Sequence, residues 1–248
     1  MPTHHKADPG RRDLLKAAGA LALFSVLPVT LKAPAADAKK WKIGIIGSGH
    51  VGSALGEVWA KAGHPVLFSS RNLENDKKLA ADIGANSRAG TPQEAAAFGD
   101  VILLAVPYSA FPELIKSVGA NLKGKVVINA SNPFPQRDGQ IAEQARTQGA
   151  GLFDAQALPG ALVVRAFNAI GSARMASAHT DPGKIGLPIA GDDKKAVDVT
   201  SQLTREIGFE PVVVGGLDMG KYLMPGTPLA GEHTPDEVRA IAGKLKLS

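Results

Sequence analysis

The sequence predicts a doubly wound α/β fold with a parallel sheet, and three observations support this prediction. From Trp41 onward, short apolar runs alternate with longer amphipathic stretches, the pattern of a parallel sheet that helices cover on both faces. A glycine-rich segment, "GSGHVG", joins the first apolar run to the first amphipathic stretch. The chain has 248 residues, of which 44% are hydrophobic and 21% charged, so it can bury a full core.

The apolar runs locate the strands, and the stretches between them locate the helices. We predict strands at residues 42–46, 66–69, 101–106, 126–129, 162–167, 187–190 and 210–214. We predict helices at residues 51–62, 91–98, 194–207 and 235–246. Thr91 with Glu94, and Thr234 with Glu237, have the spacing of a capping box, whereas Gly208 is a helix stop signal. These elements divide the chain into an N-terminal segment (1–38), a main domain (39–216) and a short C-terminal extension of loop and helix (217–248).

The N-terminal segment has the pattern of an export signal. Arg11 and Arg12 precede an apolar run at residues 17–31, and an Ala-Asp-Ala sequence at 36–38 offers a cleavage site between small residues. The arginine pair resembles the twin-arginine signature, so we expect export to the periplasm or beyond it, with the twin-arginine translocation (Tat) machinery as a partner. The apolar run is too short for a stable membrane span. The alternatives are an uncleaved anchor and a misassigned start codon.

Composition excludes several classes of site. The chain has no cysteine, which rules out disulfides, thiolate metal sites and cysteine nucleophiles. The six histidines are scattered, so no metal site is predicted. The net charge of +5 falls to about +3 once residues 1–38 are removed, and no arginine-rich run is present, so nucleic acid is not an expected partner.

The glycine-rich segment predicts a dinucleotide-binding loop. Gly47, Gly49 and Gly52 fit the GxGxxG pattern, which is weak alone but gains weight where a strand ends and a helix begins. The first glycine permits a tight turn, the second lets the backbone approach a pyrophosphate, and the third allows close helix packing. The predicted contacts to the phosphates are Gly47, Ser48, Gly49, His50, Val51 and Gly52.

The end of the next predicted strand indicates which dinucleotide is bound. An acidic residue there would bind the ribose hydroxyls of NAD, but this sequence reads Ser69, Ser70, Arg71, Asn72. Hydroxyl donors and a guanidinium suit a 2′-phosphate, so we predict NADP, held by Ser70, Arg71 and Asn72. The alternative is that Arg71 simply faces solvent.

The ends of later strands supply the remaining predicted cofactor contacts. Ala105, Val106 and Pro107 follow one strand, where their backbone would line the path of the cofactor. Asn129 ends another strand, and Asn168 follows a third, where its amide would reach the nicotinamide. For both asparagines, an amide that only caps a loop is an equally good interpretation.

Several segments together resemble the NADP oxidoreductases that depend on the 5-deazaflavin coenzyme F420. They are "IGIIGSGHVGSAL", "FSSRN", "AVPYSAF", "NPF", "VVRAFNAIG" and "IAGDDKKAVDVTSQLTREIGFEPVVVGGL". A similar domain occurs in the STEAP metalloreductases and in the N-terminal part of pyrroline-5-carboxylate reductases. The resemblance implies a Rossmann domain that binds NADP and exchanges hydride with F420 or a flavin, so no acid–base pair is required. It also implies an apolar pocket for the second redox partner, for which position suggests Pro107, Tyr108, Phe134, Ile170 and Met224.

Two further functions stay open from the sequence. One is a non-catalytic NADP-binding module, since no residue demands turnover. The other is a reductase of a small carbonyl or imine substrate, which needs a proton donor near the nicotinamide, and only Tyr108, His179 and His233 are candidates. Domains of this type commonly dimerise, so a homodimer is also an expectation.

Overall fold

The computed structural model describes Met1 and residues 39–84 and 86–245. The predicted export signal, with its arginine pair and its cleavage site, therefore lies outside the described residues. None of the helices in the described ranges has the length and the hydropathy needed to cross a bilayer.

Residues 39–245 form an eight-stranded sheet with the strand order β3-β2-β1-β4-β5-β6-β7-β8. The strands are β1 (Ile43–Ile46), β2 (Val66–Ser69), β3 (Ser87–Ala89), β4 (Val101–Leu104), β5 (Val126–Asn129), β6 (Leu162–Arg165), β7 (Gly186–Gly191) and β8 (Glu210–Gly215). Strands β1 to β6 are parallel, as predicted. The predicted doubly wound α/β fold is confirmed, with one departure from a parallel sheet: β7 is antiparallel to β6, while β8 is parallel to β7.

Helices connect the strands. They are α1 (His50–Lys61), α2 (Leu73–Ile83), α3 (Pro92–Phe98), α4 (Phe111–Leu122), α5 (Pro135–Asp138), α6 (Gln140–Gln148), α7 (Ala150–Ala157), α8 (Ser172–Ser177), α9 (Lys194–Glu206) and α10 (Pro235–Leu245). The predicted capping box at Thr91 is present, and Thr234 and Glu237 exchange the matching hydrogen bonds before α10. Gly208 follows α9 with φ +97°, a conformation that favours glycine.

The sheet buries side chains on both faces, which is the reason its strands read as continuous apolar runs. One core cluster contains Ile45, Trp59 and Phe68, and a second contains Ile102 and Leu104. A third cluster joins β7 and β8 to residues of the C-terminal extension, namely Met219, Leu223, Leu229, Val238 and Ala242. The C-terminal extension thus packs against β7 and β8.

Candidate nucleotide-binding site

A cleft of about 1130 Å³ opens at the carboxyl ends of β1, β2 and β4, where a doubly wound fold binds its ligand. It is lined by the glycine-rich segment, by the start of α2 and by the first half of α4. The predicted residues that line the cleft are Gly47, Ser48, Gly49, His50, Ser70, Arg71, Asn72, Ala105, Val106 and Pro107. Val51 and Gly52 lie in the first turn of α1, directly behind them.

Two glycines of the segment are required by the backbone. Gly47 has φ +104°, and a Cβ atom there would lie 2.3 Å from the carbonyl oxygen of Ala105. A Cβ atom on Gly52 would lie 2.1 Å from the carbonyl oxygen of Gly47. Both positions therefore hold the loop tightly between β1 and α1, as the motif predicts.

Gly49 differs from these two because it leaves room for a ligand. A Cβ atom on Gly49 would have no neighbour within 4 Å, so this position is glycine for a reason other than packing. Gly49 is also the N-cap residue of α1 and has no side chain to cap the first turn. Its open space beside uncapped helical N–H groups fits a pyrophosphate, which such helix ends bind well.

The structure places a carboxylate at the end of β2 that sequence reasoning missed. Asp76, in the first turns of α2, is 2% exposed and lines the cleft. The Ser48 hydroxyl donates a hydrogen bond to Asp76, and the Ser70 Oγ lies 2.9 and 3.0 Å from the two carboxylate oxygens. The expectation that no carboxylate stands here is therefore wrong, because α2 returns Asp76 to the strand end.

Arg71 and Asn72 lie beside this carboxylate. Arg71 is exposed and lines the cleft, so its guanidinium is available to a ligand. The Asn72 Oδ1 accepts a hydrogen bond from the Asn75 N–H at 3.1 Å and thereby caps α2. Lys77 and Lys78 form ion pairs on the exposed side of α2 with Glu74 and Asp82.

The two asparagines predicted to contact the cofactor, Asn129 and Asn168, connect strand ends. The Asn129 Oδ1 accepts from the Ser131 N–H at 2.9 Å. The Asn168 amide donates to the carbonyl oxygens of Asn129 and Ser131, both at 3.0 Å. The loop-capping interpretation thus describes both side chains here, while the buried Oδ1 of Asn168 has no partner among the described residues.

Phe167, which directly precedes Asn168, has an unusual backbone conformation. It has φ +68°, an uncommon conformation for a residue other than glycine. Its ring is buried and packs edge-on against Trp59 with the centroids 5.9 Å apart. This packing holds a strained backbone at the end of β6, a place where strain often accompanies function.

Of the residues proposed for the pocket of the second redox partner, Pro107 lines the cleft, whereas three others are buried in the core. Tyr108, Ile170 and Met224 are 0%, 7% and 5% exposed, and Tyr108 and Ile170 belong to different core clusters. Phe134 is 38% exposed, and the Arg137 guanidinium lies 5.0 Å from its ring centroid. Large apolar side chains next to strand ends are stabilised more by burial in the core than by partial exposure in the cleft.

Tyr108 instead belongs to a buried polar network. Its hydroxyl donates to Asp154 at 2.7 Å and accepts from Arg165 at 2.9 Å. Arg165 also pairs with Asp154 at 2.5 Å and donates to the Ser131 carbonyl at 3.1 Å. Burial raises the pKa of Tyr108 well above its usual range, so the hydroxyl stays protonated.

Asp138 ties together two loops beside the cleft. Its carboxylate accepts from the N–H groups of Ser109 and Phe134 and from Arg137. Burial alone would raise the pKa of Asp138, but these hydrogen bonds outweigh it and lower that pKa. Its stabilising contribution is therefore present at neutral pH and is lost as the pH falls through the lowered pKa.

The two histidines considered as proton donors lie outside this cleft. His179 lines a separate pocket with Glu57, Lys61 and Glu206. The His233 ring contacts the Ala230 carbonyl at 3.1 Å. Within the described ranges, no group of three or more acidic or histidine side chains is arranged to hold a metal ion.

Comparison with known proteins places this cleft in context. Residues 42–133 match the family described as NADP oxidoreductase, coenzyme F420-dependent. An F420-dependent NADP reductase of Methanothermobacter marburgensis is 30% identical over 209 residues, which cover 76% of this chain and 90% of the relative. Metalloreductase STEAP3 of Rattus norvegicus is 30% identical over 176 residues, which cover 71% of this chain but only 34% of that protein.

The fold also matches a solved structure. A hypothetical protein of Sinorhizobium meliloti superposes with a TM-score of 0.67 at 28% identity, covering 78% of this chain and 95% of that one. The likeness therefore extends well beyond the segment that carries the family match.

Proposed function

Because this chain belongs to the family of coenzyme F420-dependent NADP oxidoreductases, we propose that it transfers hydride between NADP(H) and the deazaflavin F420. Its dependence on NADP follows from the family, whereas the acceptor is our proposal. A flavin is the second candidate acceptor, since its ring has the same shape and also accepts hydride.

The single observation that best supports this function is the open space at Gly49 beside the uncapped start of α1. NADP, when bound, supplies or accepts a hydride at its nicotinamide ring. Backbone N–H groups of His50 and Val51 would hold the pyrophosphate, and Arg71 would face the 2′-phosphate. Ala105 to Pro107 would then guide the cofactor toward the ends of β5 and β6.

The positions of the three candidate proton donors favour an acceptor whose reduction needs no proton donor from the protein. Hydride transfer to a deazaflavin depends on orientation and on the exclusion of water. A carbonyl or imine substrate would need a proton donor within hydrogen-bonding reach. Tyr108 is held in the buried network, and His179 and His233 lie outside the cleft. These positions favour the deazaflavin reaction over the small-substrate reductase.

An acceptor assay tests the proposal. The full-length protein is incubated with NADPH and, in separate reactions, with F420, FMN or a ferric chelate, and NADPH oxidation is followed by absorbance. We expect the highest kcat/KM with F420. Turnover with FMN or the chelate but not with F420 would replace the proposed acceptor, and tight NADP binding without turnover would favour the binding module.

We also propose that the chain is exported by the twin-arginine route. The support is the arginine pair with its apolar run and its small-residue cleavage site. In a host with this pathway, replacing Arg11 and Arg12 with lysine should keep the protein in the cytoplasmic fraction, whereas the unchanged chain should be exported and shortened. Equal fractionation of both forms would contradict this localisation.

A further inference from the structure

We propose that Asp76 is a specificity-determining residue that weakens the preference of the cleft for NADP over NAD. The inference rests on the proposed function only in that the cleft holds NADP. It concerns the ribose end of the site, where Asp76 lies between Ser48 and Ser70.

The Ser70 hydroxyl, which is predicted to hold a 2′-phosphate, is already engaged, and so is the neighbouring Ser48 hydroxyl. A serine hydroxyl has one proton to donate. Ser48 donates it to Asp76, and the Ser70 Oγ lies within 3.0 Å of both carboxylate oxygens. The Ser70 oxygen also accepts the Asn72 N–H at 3.1 Å. A 2′-phosphate gains these donors only if both hydroxyls leave Asp76.

The negative charge of Asp76 also disfavours a 2′-phosphate. Asp76 is 2% exposed and has no ion-pair partner within 4 Å among residues 39–84 and 86–245. A phosphate at this end of the cleft would therefore place its negative charge beside a poorly solvated carboxylate, which is unfavourable. The exposed Arg71 offsets part of this repulsion.

The same carboxylate suits a ribose without the phosphate. In dinucleotide-binding domains, a carboxylate at this strand end accepts a hydrogen bond from the ribose 2′-hydroxyl of NAD. Here the carboxylate comes from α2 rather than from the strand end itself. The cleft thus contains Arg71, which favours NADP, and Asp76, which favours NAD. The carboxylate of Asp76 therefore determines how strong the preference for NADP is.

Nucleotide binding by the full-length protein tests this role. Kd values for NADP⁺ and NAD⁺ are measured by calorimetry for the unchanged chain, for Asp76→Asn and for Asp82→Asn. Asp82 lies on the same helix but is exposed and paired with Lys78, so it controls for a change of net charge. We expect Asp76→Asn to raise the ratio of the NAD⁺ Kd to the NADP⁺ Kd about tenfold or more, and Asp82→Asn to leave it unchanged.

Fragments of the cofactor give a second measurement that needs no variant. On the unchanged chain, adenosine 2′,5′-bisphosphate should bind less than about tenfold more tightly than AMP, because Asp76 opposes the added phosphate. A preference of about 100-fold or more would overturn the proposal. An unchanged ratio of the NAD⁺ Kd to the NADP⁺ Kd in a folded Asp76→Asn protein that still binds NADP⁺ would also overturn the proposal. That result would leave the proposed function intact. Failure of all four ligands to bind would overturn both.

Discussion

Replacement of Arg165 by methionine is expected to lower the free energy of unfolding by about 3–5 kcal/mol, the largest effect on stability that the structure predicts. Arg165 and Asp154 are both fully buried and lie 2.5 Å apart. Methionine would fill much of the space but would leave the Asp154 carboxylate without its cation. The Ser131 carbonyl and the Tyr108 hydroxyl would each lose a donor as well.

Urea denaturation of the full-length protein measures this loss. The matched control is Lys194→Met, which breaks the exposed ion pair with Asp198 and should cost about 0.5 kcal/mol or less. Adding Asp154→Leu to the Arg165 variant should recover part of the loss, since no buried charge then stays unpaired. A loss below about 1 kcal/mol in the single variant would show that this pair does not stabilise the fold.

Replacement of Gly49 by valine should weaken NADP⁺ binding about 100-fold or more while the fold stays intact. A Cβ atom at this position would meet nothing within 4 Å, and the backbone φ of −70° suits any residue. Valine would occupy the space in which the pyrophosphate must approach the start of α1. The expected effect therefore falls on the ligand and not on the protein.

The contrast with other glycines makes this test specific. Gly243 in α10 also opens onto free space but lies outside the cleft, so Gly243→Val should leave both binding and stability nearly unchanged. Calorimetric titration with NADP⁺ and a thermal melt are recorded for both variants. Normal NADP⁺ binding by a folded Gly49→Val protein would show that the nucleotide does not bind at this loop.

Much of the fold follows from local patterns in the sequence. The predicted bounds of β2 and β5 match the structure, and the resemblance to the F420-dependent family is confirmed by the comparisons. Strand β3 was missed because its three residues, "SRA", carry no apolar run and form an edge of the sheet. The direction of β7 was also missed, because strand direction depends on how the connection crosses the sheet.

Some residues of the candidate site can be predicted from the sequence, and others cannot. The cleft residues around Gly49 and Arg71 follow from a motif at fixed spacing. Asp76 and Arg165 act through contacts that depend on distant parts of the chain, since Asp76 meets Ser48 and Arg165 meets Tyr108. The sequence shows Asp76 only as one charge among several on α2, and Arg165 only as a cation in an apolar run. A charged residue inside such a run was the one available signal that Arg165 is paired.

Strand β7 reverses the direction of the chain, and the segment that packs around it is encoded far from the residues that line the nucleotide cleft. The residues that line the cleft lie between 46 and 117, whereas the segment after β6 contacts the last part of the chain. The Gly231 N–H donates a hydrogen bond to the Ala169 carbonyl, and the Gly186 N–H donates to the His233 carbonyl. During synthesis the residues that line the cleft therefore leave the ribosome before the last part of the chain has been made. Substitutions in that last part can therefore alter the packing against β7 and β8 without touching the residues around Gly49.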